Sequence, residues 1–252
     1  MKNMNTLLFV LILSGAAFAY ADDAPYESTY KPLPYTNTIF RNANIYDGDG
    51  NEFQNTDLFI RDGKIIAIGK DLPGSSDFIE IDASNKWITP GIIDIHSHMG
   101  VYPAPSVRTS SDGNEATSPV TADVWAEHSI WVQDPQFALA LKGGVTTFHV
   151  LPGSANLIGG RGVTAKNLQR NTINSMKYPN APHSLKMACG ENPKRVYGNR
   201  NQAPSTRMGN IAGYRKSWIR AEAYLSRLDE YEAKSDEAKE IVIHMCSFQI
   251  LP

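Results

Sequence analysis

The residues best placed to do chemistry lie in Pro90–Gly91–Ile92–Ile93–Asp94–Ile95–His96–Ser97–His98–Met99–Gly100. A short apolar run ends there in two histidines one residue apart. Side chains alternate faces along a strand, so His96 and His98 point the same way, with Asp94 below them on that face. Ile93 and Ile95 point the other way, and a strand apolar on both faces suits a parallel sheet covered by helices. Two imidazoles at one strand end make half of a metal site, since neutral imidazole is a common ligand for zinc and similar ions. Spacing alone also allows a histidine pair with no ligand.

Several elements must position that pair. From Ile39 to Ile68 short apolar runs alternate with turns, and Asp62–Gly63 between two such runs is a strong hairpin signal. Asp47, Asp49 and Asn51 do not make a calcium loop, because Glu52 and Leu58 stand where that loop needs Gly and Glu. Phe78–Ile81 and Trp87–Ile88 read as a further strand pair. Val101–Val120 is loop-rich, and Pro135–Leu141 is a short helix stopped by Gly143–Gly144. Val145–Leu151, β-branched and apolar, is a second buried strand carrying His149. Gly159–Gly160–Arg161–Gly162 lacks the spacing of a phosphate loop. It reads as a tight active-site loop with Arg161 reaching a substrate carboxylate, or as a plain turn. Leu185–Glu191 is another strand, and Gly213–Glu240 is a helix whose Trp218, Ala221, Leu225 and Leu228 form a packing stripe.

The histidine stretch resembles the signature of the metal-dependent amidohydrolase superfamily, a Pro-Gly-hydrophobic-hydrophobic-Asp-x-His-x-His run on a first barrel strand. Residues 116–120, 144–147, 151–156, 190–195 and 206–209 also resemble a secreted, imidazolonepropionase-like branch. The resemblance implies an α/β fold, a (β/α)8 TIM-type barrel beside a small β-sandwich. It also implies hydrolysis of a C–N bond by water activated on a divalent metal, in the first instance zinc. His96 and His98 would bind that metal. A carboxylate or carboxylated lysine on a middle strand would complete the site, and the sequence offers Glu191 and Lys186. Their opposite parity lets only one face the barrel axis, and Glu191, nearer the strand's C-terminal end, is favoured. A salt bridge or helix cap with Lys194 or Arg195 is the alternative role for Glu191. His149 sits where this branch carries no ligand.

The family pattern then runs short. A full barrel takes about 250 residues, and only 165 follow Trp87 (252 − 87). His128 falls in a loop and His183 in a Pro-rich turn. His244 follows Ile241–Val242–Ile243, the start of a possible fourth strand, and the general-base aspartate is expected beyond the chain end. The expectation is an incomplete barrel, from a fragment or frameshifted product inactive alone. Residues 1–21 would be a secretory signal peptide and 22–37 an extended lead-in. Residues 38–89 would form the β-sandwich, 90–244 the first part of the barrel, and 245–252 a tail unlike the family.

The basic start, apolar Leu7–Leu13 and small residues near Ala19 and Ala21 fit export to a periplasm or beyond. That apolar run is too short to span a bilayer. A formal charge of −2 and 42% hydrophobic residues give no sign of a nucleic-acid or membrane-surface partner once the leader is removed. Cys189 and Cys246 are too few to be a disulfide framework. The expected partner is a small amide or peptide substrate. The rival reading is a non-catalytic exported domain that keeps the sandwich for interaction.

Overall fold

The computed structural model describes residues 26–234. The leader, the possible strand at 241–244, Cys246 and the 245–252 tail lie outside the described residues.

The first unit is one sheet built on strand β1 (Thr38–Tyr46). β1 pairs antiparallel with β2 (Glu52–Arg61), and β2 with β3 (Lys64–Gly69). The β2–β3 turn is the Asp62–Gly63 hairpin, with Arg61 opposite Lys64 and positive φ at both turn residues. That backbone twist matches the twist of the strands it joins. In the β1–β2 connection, the Asp47 carboxylate accepts the amides of Asp49 and Asn51, so those residues form a turn.

The expected pair near residues 78–88 is arranged differently. β4 (Ile79–Asp82) and β5 (Trp87–Ile88) each run parallel to β1, at opposite ends of it, and not to each other. Ala43, Ile45, Leu58 and Ala83 form the core of this sheet. Residues 38–89 therefore supply a single five-stranded layer; no second sheet from within them packs on it.

The second unit holds the histidines. β6 (Ile92–Ser97) runs parallel to β7 (Val145–Val150), with Asp94 opposite Phe148 and Ser97 opposite Val150. Between them lies α1 (Pro135–Lys142), which starts where Asp134 accepts the Gln136 amide and Pro135 presets the first turn. Asp134, itself buried, also accepts the Gly100 amide at 2.9 Å, which ties the loop after His98 to this helix. Phe137 stacks on Phe148 at 5.1 Å, inside a core that includes Val101, Val150, Val163, Ala165 and Met176.

The glycine-rich stretch is strand, not loop. β8 (Ile158–Arg161) pairs antiparallel with β10 (Leu185–Met187), and β9 (Val163–Lys166) pairs antiparallel with β7. Gly160 has φ +110°, and an added Cβ would lie 2.6 Å from the Val124 carbonyl oxygen, so only glycine fits. β10 is three residues long, shorter than the strand expected over 185–191. Gly190, at φ 82°, instead opens α2 (Glu191–Gly198).

α3 (Arg207–Glu232) starts at Thr206, whose hydroxyl accepts the Gly209 amide. It rests on the body through buried Asn210 and through Tyr214, whose hydroxyl donates to the Leu157 carbonyl. Farther along, Trp218 and Leu225 are exposed, so the expected packing stripe is not covered. The lead-in is unpaired chain held at a few points: Ser28 Oγ donates to the Lys177 carbonyl at 2.7 Å, and the Thr29 amide donates to the Asn174 carbonyl. No helix among the described residues is long and apolar enough to cross a membrane.

Candidate metal centre

The strand places both histidines on one side, as their spacing requires. The His96 and His98 ring centroids are 5.3 Å apart and nearly perpendicular. His98 Nδ1 lies 2.8 Å from the Leu151 carbonyl oxygen, just past the end of β7. A carbonyl only accepts, so Nδ1 carries a proton, and Nε2 is the ring nitrogen left to serve as a metal ligand. That is the arrangement by which an outer partner orients a metal-binding imidazole. The Asp94 carboxylate accepts the backbone amide of His96 and braces the strand end.

Of the two candidate third ligands, the structure brings Lys186 to the pair. Lys186 Nζ lies 3.1 Å from His96 Nε2. Burial holds the Lys186 ammonium below its usual pKa. The nearby Lys186 charge, followed by burial and by His98, lowers His96, which favours the neutral imidazole a metal needs.

Glu191, favoured from the sequence, is elsewhere. It is the first residue of α2, and its carboxylate takes Arg195 Nε at 2.6 Å in solvent, the i,i+4 ion pair weighed as its alternative role. The parity argument assumed one strand through residue 191, but β10 ends at Met187 and Gly190 opens α2.

Arg161 is also turned away. It pairs with Leu185, whereas Gly160 pairs with Lys186, so Arg161 projects from the opposite face of β8. Its guanidinium lies 4.4 Å from the Trp125 ring centroid. His149 is fully engaged by hydroxyls, Nδ1 with Thr164 and Nε2 with Ser184 at 2.6 Å. Burial, with His183 and His96 nearby, lowers its pKa. It is a packed strand histidine with both ring nitrogens taken by hydroxyls.

Residues that the sequence reading passed over surround His98. A cleft of about 310 Å³ is lined by His98, Tyr102, Asn114, the Gly153–Ala155 loop, Asn192, Arg195 and Val196. The Asn114 amide donates to the Tyr102 hydroxyl, Asn114 Oδ1 accepts the Ala155 amide, and Asn192 donates to Ser154 Oγ at 2.9 Å. Asn156 fixes the loop beneath by donating to the Glu115 and Ser118 carbonyls. The signal for Ser154, Asn156, Asn192 and Arg195 was their membership in the matched stretches 151–156 and 190–195; Tyr102, Asn114 and Val196 lie outside them.

The donor set fits a divalent ion in part. Two imidazoles and an amine converge, and the amine could carry an anionic carbamate. Among the described residues no three His, Cys, Asp or Glu side chains come together to hold a metal.

No family model matches the chain. It is 32% identical over 226 residues to amidohydrolase tasK of Hapsidospora irregularis, covering 79% of this chain and 23% of that protein. It is 44% identical over 63 residues to a dihydroorotase of Ligilactobacillus salivarius, covering 24% and 14%. An allantoinase of Desulfitobacterium hafniense is 33% identical over 84 residues, covering 33% and 18%. The crystal structure of an amidohydrolase from Thermotoga maritima superposes with a TM-score of 0.71 at 35% identity, over 81% of this chain and 54% of that one. The chain thus spans about a quarter of tasK and about half of the Thermotoga protein. These names and the shared fold support the amidohydrolase superfamily as its class.

Proposed function

We propose that residues 90–198 carry the opening part of a metal-dependent hydrolase site for C–N bonds in small amides. His96 and His98 would hold the ion, zinc in the first instance, and Lys186 as its carbamate would supply the anionic third group. The observation that supports this is the approach of the Lys186 amine, from β10, to the two rings at the C-terminal end of β6, the strand end at which barrel active sites form. An ion bound there would bring the pKa of a coordinated water toward neutrality and polarise the amide carbonyl. The chain's own residues do the positioning. The Leu151 carbonyl holds the His98 proton on Nδ1, and Asp134 anchors the loop that follows.

A cyclic amide of imidazolone type and the C–N bond of a small peptide both remain candidate substrates. The leader-like residues 1–21 support a periplasmic or secreted site of action. The imidazolonepropionase-like branch is part of this proposal, on the matched stretches named above. Because the described residues bring together no third His, Cys, Asp or Glu at the pair, the 252-residue chain by itself is proposed to bind metal but turn substrate over poorly. That same shortfall favours the rival, a non-catalytic exported interaction domain. Metal analysis of purified chain separates the two readings. Stoichiometric zinc, lost in the His96→Ala/His98→Ala double variant, supports the hydrolase lineage; wild-type chain that takes up no zinc rejects it. Turnover of cyclic amides or dipeptides at ordinary enzyme rates would refute the proposed weak activity.

A further inference from the structure

Among the described residues, α3 is tied to the body near its start, through buried Asn210 and the Tyr214 hydroxyl. Its apolar residues follow a seven-residue pattern: Ile211, Trp218 and Leu225 at one position, and Tyr214, Ala221 and Leu228 three residues after each. Residues so spaced line one stripe of a helix, the seam along which two helices pack. The stripe is open: Ile211, Trp218 and Leu225 are each more than half exposed. Ala221 is exposed as well, and Tyr214 and Leu228 are half-buried. A helix in water draws most of its stability from packing an apolar face, so this face calls for a partner.

The charges along the helix say which partner. Arg207, Arg215, Lys216 and Arg220 lie in its first half, where residues 207–220 include no acid. Glu222, Asp229, Glu230 and Glu232 lie in its second half, with Arg227 the one cation there. We propose that the stripe docks on the same stripe of a second copy of this chain, the two α3 helices running antiparallel. In that direction the basic half of each helix meets the acidic half of the other, and the helix dipoles oppose. Parallel helices would set like charge against like. Side-chain size fits the same arrangement. Trp218 set against the partner's Ala221 also sets Tyr214 against the partner's Leu225 and Ile211 against the partner's Leu228. Large then meets small at the centre, twice over by the two-fold symmetry. That register also brings Arg215 beside the partner's Glu222. The seam is about 25 Å long at 1.5 Å per residue, short for a coiled coil, so the dimer is a reversible one. Nothing in this contact depends on the metal.

Sedimentation of the full chain over a range of concentrations, at low and high salt, tests this. The expected result is a reversible dimer with a dissociation constant of about 1–100 μM, weakened by added salt. Trp218→Glu should give a monomer whose unfolding midpoint matches that of dilute wild type, since Trp218 is exposed in the single chain. Arg215→Glu and Glu222→Arg, each alone, should weaken the dimer about tenfold or more, because two symmetric attractions become repulsions. The two substitutions together should restore it. A chain that stays monomeric at the highest concentration, a dimer indifferent to Trp218→Glu, or a double variant no tighter than either single one overturns the proposal. So does a wild-type monomer that Trp218→Glu destabilises, because the stripe would then be covered by the chain's own residues.

Discussion

A single hydrogen bond at His98 decides which ring nitrogen is available, and a single ion pair decides how the loop after β9 is held. Lys177 Nζ lies 2.8 Å from Glu127 Oε2, and both side chains are almost wholly buried. Lys177 also donates to the Tyr26 carbonyl, so the same ammonium pins the lead-in. Removing one member of a buried pair leaves the other charge without compensation. Lys177→Met should therefore cost about 3–5 kcal/mol in urea unfolding; an unchanged midpoint would show that Glu127 is neutral or reached by water. Neither residue was singled out from the sequence, because nothing local marks a pair fifty positions apart. The His96–His98 pair was legible for the opposite reason. Its geometry follows from strand alternation alone, and the rings do lie side by side. The structure brings Lys186 and not Glu191 to His96, a difference from the parity reading, which assumed one strand across 185–191. The correcting signal was present: Gly190 can take positive φ, and Pro193 belongs in the first turn of a helix.

Among the elements, hairpins and caps were the readable parts. Asp62–Gly63 turns where its residue types demand it, and α1 begins at Asp134–Pro135 and ends at Gly143–Gly144. What local pattern did not reveal was β8. Its glycines suggested a loop, yet they are there because β8 passes close to the Val124 backbone while pairing with the strand that carries Lys186. Gly160→Ala tests this element directly. Strain at φ +110° and the clash with the Val124 carbonyl should lower stability by about 1–3 kcal/mol, and zinc retention should fall with it because Lys186 sits opposite. A variant as stable as wild type, with undiminished zinc, would mean that β8 does not position the site.

At the scale of the whole molecule, the described residues leave the outer face of the histidine strand bare. Ile93 is 63% and Ile95 77% exposed, although a barrel strand ordinarily buries that face under helices. The sequence predicted apolar character on that face correctly, but cover comes from other elements, which alternation within one strand cannot report. The fold comparison agrees on the class, since the likeness extends over most of this chain and about half of the Thermotoga amidohydrolase. The central claim is more local: His96, His98 and Lys186, and not Glu191, form the metal-gripping set. Competition between the chain and a chelator for zinc, with bicarbonate present, measures it most directly. The account predicts that His96→Ala, His98→Ala and Lys186→Met each weaken zinc binding by about tenfold or more, in line with loss of a ligand or its support, while Glu191→Gln binds like wild type. Undiminished affinity in Lys186→Met together with a loss in Glu191→Gln would contradict it.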